Sequence, residues 1–157
     1  MARMRRALPL FLILAASAAF AGPSRDAVNA VMDDWHKAAS AADEDRYFGH
    51  LTTDSVFMGT DATERWEAKA FREFAHPHFA SGKGWTFTPR SRNVMLHKEM
   101  AWFDEVLDSA SYGECRGTGV LRKEKGVWKI VHYNLTIPIP NDLAKDIVWL
   151  IRSGKKK

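Results

Sequence analysis

The sequence predicts an α+β domain on three observations. Apolar residues recur at three- and four-residue spacing through the first half, β-rich runs separated by turn residues fill the second, and no internal repeat or Ser/Gly linker divides the chain. At 157 residues, with 46% hydrophobic and 27% charged residues, the composition is that of one folded domain rather than a disordered or fibrous chain.

The first element is an address. Met1 to Arg6 is basic, Ala7 to Phe20 is apolar, and Ala19-Phe20-Ala21 offers small residues at the two positions a signal peptidase reads. Residues 1–21 therefore read as a secretory signal peptide, because an apolar run of about 15 residues falls short of the ~20 that span a bilayer. No cysteine follows it to accept a lipid. The expectation is an exported protein, periplasmic or secreted, with one domain over residues 22–157 that ends in a helix and a basic tail.

Ser24 is placed to cap a first helix whose apolar positions are Ala27, Val28, Val31, Met32, Trp35, Ala38 and Ala39. Asp43-Glu44-Asp45 suits the positive end of a short second helix carrying Tyr47, Phe48 and Leu51. Ser55 to Met58 reads as a brief strand. Thr63, Glu64 and Glu67 open a third helix with Trp66, Ala70, Phe71 and Phe74 on one face, which Pro77 ends. A meander follows, with strands near Trp85–His97, Met100–Asp108, Glu114–Lys123 and Val127–Ile137. Asn141 caps a last helix from Asp142 to Arg152.

Charge and cysteine content exclude several functions. Setting aside Arg3, Arg5, Arg6 and Lys155 to Lys157 leaves 17 Lys+Arg against 19 Asp+Glu, so no broad cationic face for nucleic acid is expected. Cys115 is the only cysteine, which rules out an intramolecular disulfide and reads as a small buried strand residue. His76-Pro77-His78 lacks a matching set of ligands, so no metal is expected. Gly117 and Gly119 lie on a strand with no third glycine opening a helix, so no nucleotide or other cofactor is expected either.

Register arithmetic then sorts residues between the two sheet faces. With Lys123 paired to Val127 across Glu124-Lys125-Gly126, Gly117 faces Tyr133 and Gly119 faces Val131. A turn at Ala110-Ser111 sets Asp104 opposite Gly117 and Trp102 opposite Gly119. One face is then expected to carry Trp102, Asp104, Gly117, Gly119, Val131, Tyr133 and Leu135, and the other Phe103, Glu105, Arg116, Thr118, His132 and Asn134. The glycines suggest room for a ligand on the first face. The second face, with a Glu105-Arg116-Asn134 row and with Val120, Trp128 and Ile130 nearby, is expected to pair two copies in a homodimer.

The segment Gly126-Val127-Trp128-Lys129-Ile130-Val131-His132-Tyr133-Asn134-Leu135-Thr136-Ile137-Pro138, preceded by Arg116-Gly117-Thr118-Gly119-Val120, resembles SnoaL-like domains of the nuclear transport factor 2-like superfamily. It is also similar to the association domain of calcium/calmodulin-dependent kinase II. The resemblance spans roughly Asp26 to Val148 and implies a cone-shaped fold, helices closing over a curved antiparallel sheet around a pocket, commonly in a homodimer. It does not imply one chemistry. The kinase-type association domain carries pocket arginines where this chain has Asp104, Gly119 and Leu135, so a preference for carboxylate ligands does not transfer.

The candidate site follows from the face assignment together with the resemblance. Asp104 is the polar anchor, or the general base of a lyase, isomerase or hydrolase, with Tyr133 or Tyr47 donating to a developing oxyanion. Tyr47, Trp66, Phe71, Phe79 and Trp102 form an apolar lining, and Gly117 and Gly119 leave the space. The ligand expected is a small apolar or amphipathic molecule. A binding domain, an enzyme using Asp104 and a non-catalytic assembly module all remain open. An Asp104 tied up by a buried cationic partner would favour binding or structure over catalysis.

Overall fold

The computed structural model describes residues 25–154. The expected signal peptide (residues 1–21), the Ser24 cap and the lysines at 155–157 lie outside the described residues. No helix among the described residues is long and apolar enough to cross a membrane.

Helix α1 (Arg25–Ser40) buries the stripe its spacing predicts, with Val28, Met32, Trp35, Ala38 and Ala39 withdrawn from solvent. It ends in a left-handed cap: Ala42 has φ 53°, and the Asp43 N–H reaches back to the Ala38 carbonyl at 2.9 Å. The Asp43 side chain in turn accepts from the Arg46 N–H and starts α2 (Glu44–Gly49).

Strand β1 (Leu51–Met58) follows, and the next segment corrects the expected third helix. Thr63 bonds Asp61 twice and the Gly59 N–H bonds the Glu64 carbonyl, so this Asp/Thr pattern makes a turn rather than a cap. Arg65–Glu67 then form a short strand β2 beside β1, with Trp66 opposite Phe57. Helix α3 (Ala68–Ala80) starts later than expected and runs through Pro77, because Phe79 beyond it is 4% exposed and seats the last turn in the core.

Strands β3 (Thr88–His97), β4 (Met100–Ser109), β5 (Gly113–Glu124) and β6 (Val127–Thr136) form the expected meander. The six-stranded sheet is ordered β2-β1-β6-β5-β4-β3, antiparallel except for the β1–β6 pair, which is parallel. Helix α4 (Ala144–Ser153) lies at the periphery with no buried residue. It begins two residues later than expected, and the Asn141 carbonyl, not its side chain, accepts from Ala144.

Two turns set the register, and both differ from the expectation. The β4–β5 loop holds three residues, Ala110 to Tyr112, closed by Gly113 at φ 72° with the Ser109 hydroxyl accepting from two loop N–H groups. Trp102 therefore faces Val120, Asp104 faces Thr118 and Glu105 faces Gly117. The β5–β6 turn holds only Lys125 and Gly126, both at positive φ, and a bulge between Val120 and Leu121 sets Gly117 opposite Leu135 and Gly119 opposite Tyr133.

A slip of one residue on β4 exchanges its faces. Phe103 and Glu105 point inward beneath the helices together with Gly117, Gly119, Tyr133 and Leu135, whereas Trp102 and Asp104 lie on the outer face. Cys115 is a buried free thiol, as expected, and burial pushes its pKa up.

Candidate functional site

The polar centre of the interior is Glu105, 1% exposed, on the inward face of β4. Its Oε1 accepts from His36 Nε2 at 2.9 Å and from the Tyr133 hydroxyl at 2.9 Å, and its Oε2 accepts from Arg92 Nε at 2.8 Å. Arg92 is the cross-strand partner of Glu105 on β3, and its Nη1 continues to Asp33 at 2.9 Å and to the Asn29 side chain at 3.2 Å. Asn29, Asp33 and His36 follow one another on α1 at four- and three-residue spacing, so one side of the helix meets this cation–carboxylate pair. The network ties α1 to three strands.

Burial alone would raise the Glu105 pKa. The His36 hydrogen bond, the charges of His36 and Arg92 and the Tyr133 hydroxyl outweigh that, and its carboxyl is held below the usual 4.5. Tyr133 moves the other way: burial first, then the Glu105 charge it donates to, push its phenol well above 10. Burial pushes Tyr47 up likewise. Glu105 is therefore an ionised acceptor with both oxygens engaged.

Beside this network lies a chamber of about 10 Å³, walled by Trp35, His36 and Ala39 of α1, Tyr47, Phe57, the Trp85 and Phe87 side chains of the segment before β3, and Tyr133 and Leu135. Gly84 holds that segment against α1, since a Cβ there would collide with the Ala39 carbonyl. The chamber is water-sized. An open aromatic groove of about 200 Å³ shares Phe57, Trp85, Phe87 and Leu135 with it and adds Phe71, Phe74, His78 and Tyr112. A larger void, about 770 Å³, is a separate open groove between α2, β1 and α3. Its charged groups already pair with one another, Arg72 with Glu44 and Asp45, His76 with Glu44, and Lys69 with Glu73, and it is remote from Glu105 in lining. The smaller groove and its chamber are the candidate site.

Of the residues expected at the site, Tyr47, Phe71, Phe79 and Tyr133 are buried in the interior. Asp104 is not there: it accepts from Asn93 Nδ2 at 2.9 Å on the outer face, and Trp102, 44% exposed, lies beside it. Trp66 stacks on Phe74 at 4.7 Å and lines neither void. The glycines face inward, but their space is filled by protein. A Cβ on Gly117 would collide with the Tyr133 hydroxyl and lie 2.7 Å from Glu105 Oε1, and one on Gly119 would lie 2.7 Å from Phe103 Cε1. The expected Glu105-Arg116-Asn134 row does not form, because Arg116 pairs with Val106 and Thr136, and Phe103, Glu105, Trp128 and Ile130 are all buried.

Sequence reasoning missed His36, Arg92 and the inward position of Glu105. The available signal was His36 itself, a polar residue next to Trp35 on the apolar side of α1, which calls for a buried partner.

Helices closing one face of a curved, unclosed six-stranded sheet, around an aromatic interior with one buried polar network, define a small α+β cone. The chain belongs to the SnoaL-like domain family of the nuclear transport factor 2-like superfamily, whose model matches residues 28–140. No curated protein matches the chain in sequence. Among solved structures, it is similar to a proposed dehydratase of the nuclear transport factor 2-like family from Streptomyces avermitilis, at 10% identity over 73% of this chain and 96% of that one, TM-score 0.64. It is also similar to a proposed ketosteroid isomerase from Shewanella frigidimarina, at 20% identity over 70% and 94%, TM-score 0.56. A proposed calcium/calmodulin-dependent kinase II association domain from Exiguobacterium sibiricum matches at 14% identity over 76% and 98%, TM-score 0.58. At these identities the likeness establishes the fold.

Proposed function

We propose that the chain is a small-molecule-binding domain that takes an apolar or amphipathic ligand in the aromatic groove. The observation that carries this reading is the groove itself, with Phe57, Phe71, Phe74, Trp85, Phe87 and Tyr112 converging on one concave surface behind which the water-sized chamber lies. Binding is preferred over catalysis because Glu105, the interior carboxylate, already holds a cation and two further donors. Native mass spectrometry of protein isolated from its own host tests this. A retained small molecule, weakened by Tyr112→Ala with the fold intact, supports the reading. A wild type that carries no adduct and takes up neither 1-tetralone nor tetralin sinks it.

A second reading has one specific observation behind it. His36 both walls the chamber and bonds Glu105, the arrangement of a base oriented by a carboxylate. In that case His36→Gln abolishes turnover of the retained ligand while leaving its binding, and an unchanged reaction removes the idea.

Two further proposals concern setting. Export rests on the basic and apolar residues 1–20, and N-terminal sequencing that finds Gly22 first would support it. A homodimer is proposed through the outer sheet face. There Val56, His132, Val120, Trp102 and Met95 stand side by side across five strands, a row apolar except at His132 that a two-fold axis can lay on its own copy. Trp102→Asp should then sediment as a monomer where the wild type sediments as a dimer.

A further inference from the structure

Two residues of the chamber wall carry buried polar atoms that are unaccounted for. Trp35 is 2% exposed and Tyr47 1% exposed, and neither Trp35 Nε1 nor the Tyr47 hydroxyl has a hydrogen-bond partner among the described residues. Buried donors are rarely left so, because each unmade bond costs free energy. The two rings stack at 4.9 Å and wall the same void. Indole N–H is a donor only. The Trp85 indole lies close enough to ease ionisation of Tyr47 without closing a hydrogen bond, and an indole N–H there would donate to the phenol oxygen. The proton of the Tyr47 hydroxyl stays free to donate.

Volume and charge narrow what completes them. The chamber of about 10 Å³ has room for one oxygen, whereas the groove of about 200 Å³ sharing four of its side chains has room for rings. Glu105 and Asp33 against Arg92 and His36 leave the adjoining network with no net positive charge. A negatively charged oxygen entering the chamber would find no counter-charge to spare, within aromatic walls that solvate no ion.

From this we infer the ligand class of the proposed site: a cyclic or aromatic molecule that leads with an uncharged, hydrogen-bond-accepting oxygen, a ketone or ether, placed between the Trp35 Nε1–H and the Tyr47 hydroxyl while its rings lie in the groove. This rests on the binding reading above and adds to it which end of the ligand enters and what atom it bears.

The test compares three probes of similar shape by calorimetry on the full chain: 1-tetralone, tetralin, which lacks the oxygen, and 1-naphthoate, which is anionic. In the wild type 1-tetralone should bind about tenfold more tightly than tetralin, the scale of one or two buried donors satisfied rather than desolvated, and 1-naphthoate more weakly than 1-tetralone. Tyr47→Phe removes one oxygen and should bring 1-tetralone to within about threefold of tetralin. Trp35→Phe should do the same, and where it fails to fold by circular dichroism, Tyr47→Phe alone decides. Equal binding of 1-tetralone and tetralin overturns the inference and leaves the chamber to a structural water. So does a 1-tetralone preference that survives Tyr47→Phe, or tightest binding by 1-naphthoate. In each of these the groove still binds rings, so the binding reading stands, whereas a protein that carries no adduct and takes up none of the three refutes that reading itself.

Discussion

Replacing Glu105 by Gln is the sharpest test of the buried network. The amide keeps the shape but removes the charge that Arg92 and the two Oε1 donors serve, and the Arg92 side chain, 6% exposed, would keep only Asp33 as a counter-ion. Breaking a buried pair costs about 3–5 kcal/mol, and the surviving Asp33 contact lowers that to about 2–4 kcal/mol at neutral pH. In a domain of this size this is roughly 8–15 °C in Tm. The loss should depend on pH with a definite sign. The folded Glu105 carboxyl lies below its ordinary 4.5, so its stabilisation is full above that value and fades as pH falls through the lower folded-state pKa. Urea denaturation of wild type and Glu105→Gln at neutral pH and again near pH 3 should show the gap closing in acid. Asp104→Asn is the control on the outer face and should change stability by less than about 0.5 kcal/mol. A Glu105→Gln variant as stable as wild type, or a gap that persists unchanged into acid, would refute the argument.

Gly117→Ala should destabilise by about 2–4 kcal/mol, since its methyl would force the Tyr133 hydroxyl off Glu105, and a denaturation midpoint equal to wild type would show the pair yielding freely. Ala42→Gly should raise the unfolding free energy by about 0.5–1 kcal/mol, read as a higher denaturation midpoint with an unchanged m value, because φ 53° strains a residue bearing a Cβ. Asp34, held by hydrogen bonds from Arg46 and His50, should titrate by NMR at about 2 rather than 3.8. Arg46→Ala should move that titration upward, the Arg46 hydrogen bond being the larger cause. The stabilisation from this carboxylate is complete above 3.8 and is lost as pH falls toward 2.

The network explains why an interior lined by aromatics holds a cation–carboxylate pair at all. Helix α1 meets the sheet through ring contacts, Trp35 on Tyr133 at 4.7 Å among them, and such contacts alone tolerate sliding. Glu105, reached at once from α1, β3 and β6, is a directional join that allows one helix placement. Gly117 is the cross-strand neighbour that leaves room for it. The space that strand glycines suggest for a ligand thus serves the protein's own hydrogen bonds.

Local patterns determined much of this molecule: the stripe of α1, the acidic start of α2, the four-stranded meander, the inward placement of Gly117, Gly119 and Tyr133, and the burial of Cys115. Each depends on periodicity or on residues adjacent in the chain, which sequence displays directly. Tertiary structure alone decided which β4 carboxylate enters the cone. Alternation along β4 makes Asp104 and Glu105 opposites, and the choice between them turned on whether a loop held two residues or three. Ala110-Ser111-Tyr112 closed by Gly113, and the bulge beyond Leu121, shift the pairing by single residues, and one residue is the whole difference between core and solvent in a strand. The partners of Glu105 were hidden for a related reason. His36 and Arg92 stand 69 and 13 residues away along the chain: the β3–β4 register sets Arg92 opposite Glu105, and only the packing of α1 on the sheet brings His36 to the same carboxylate.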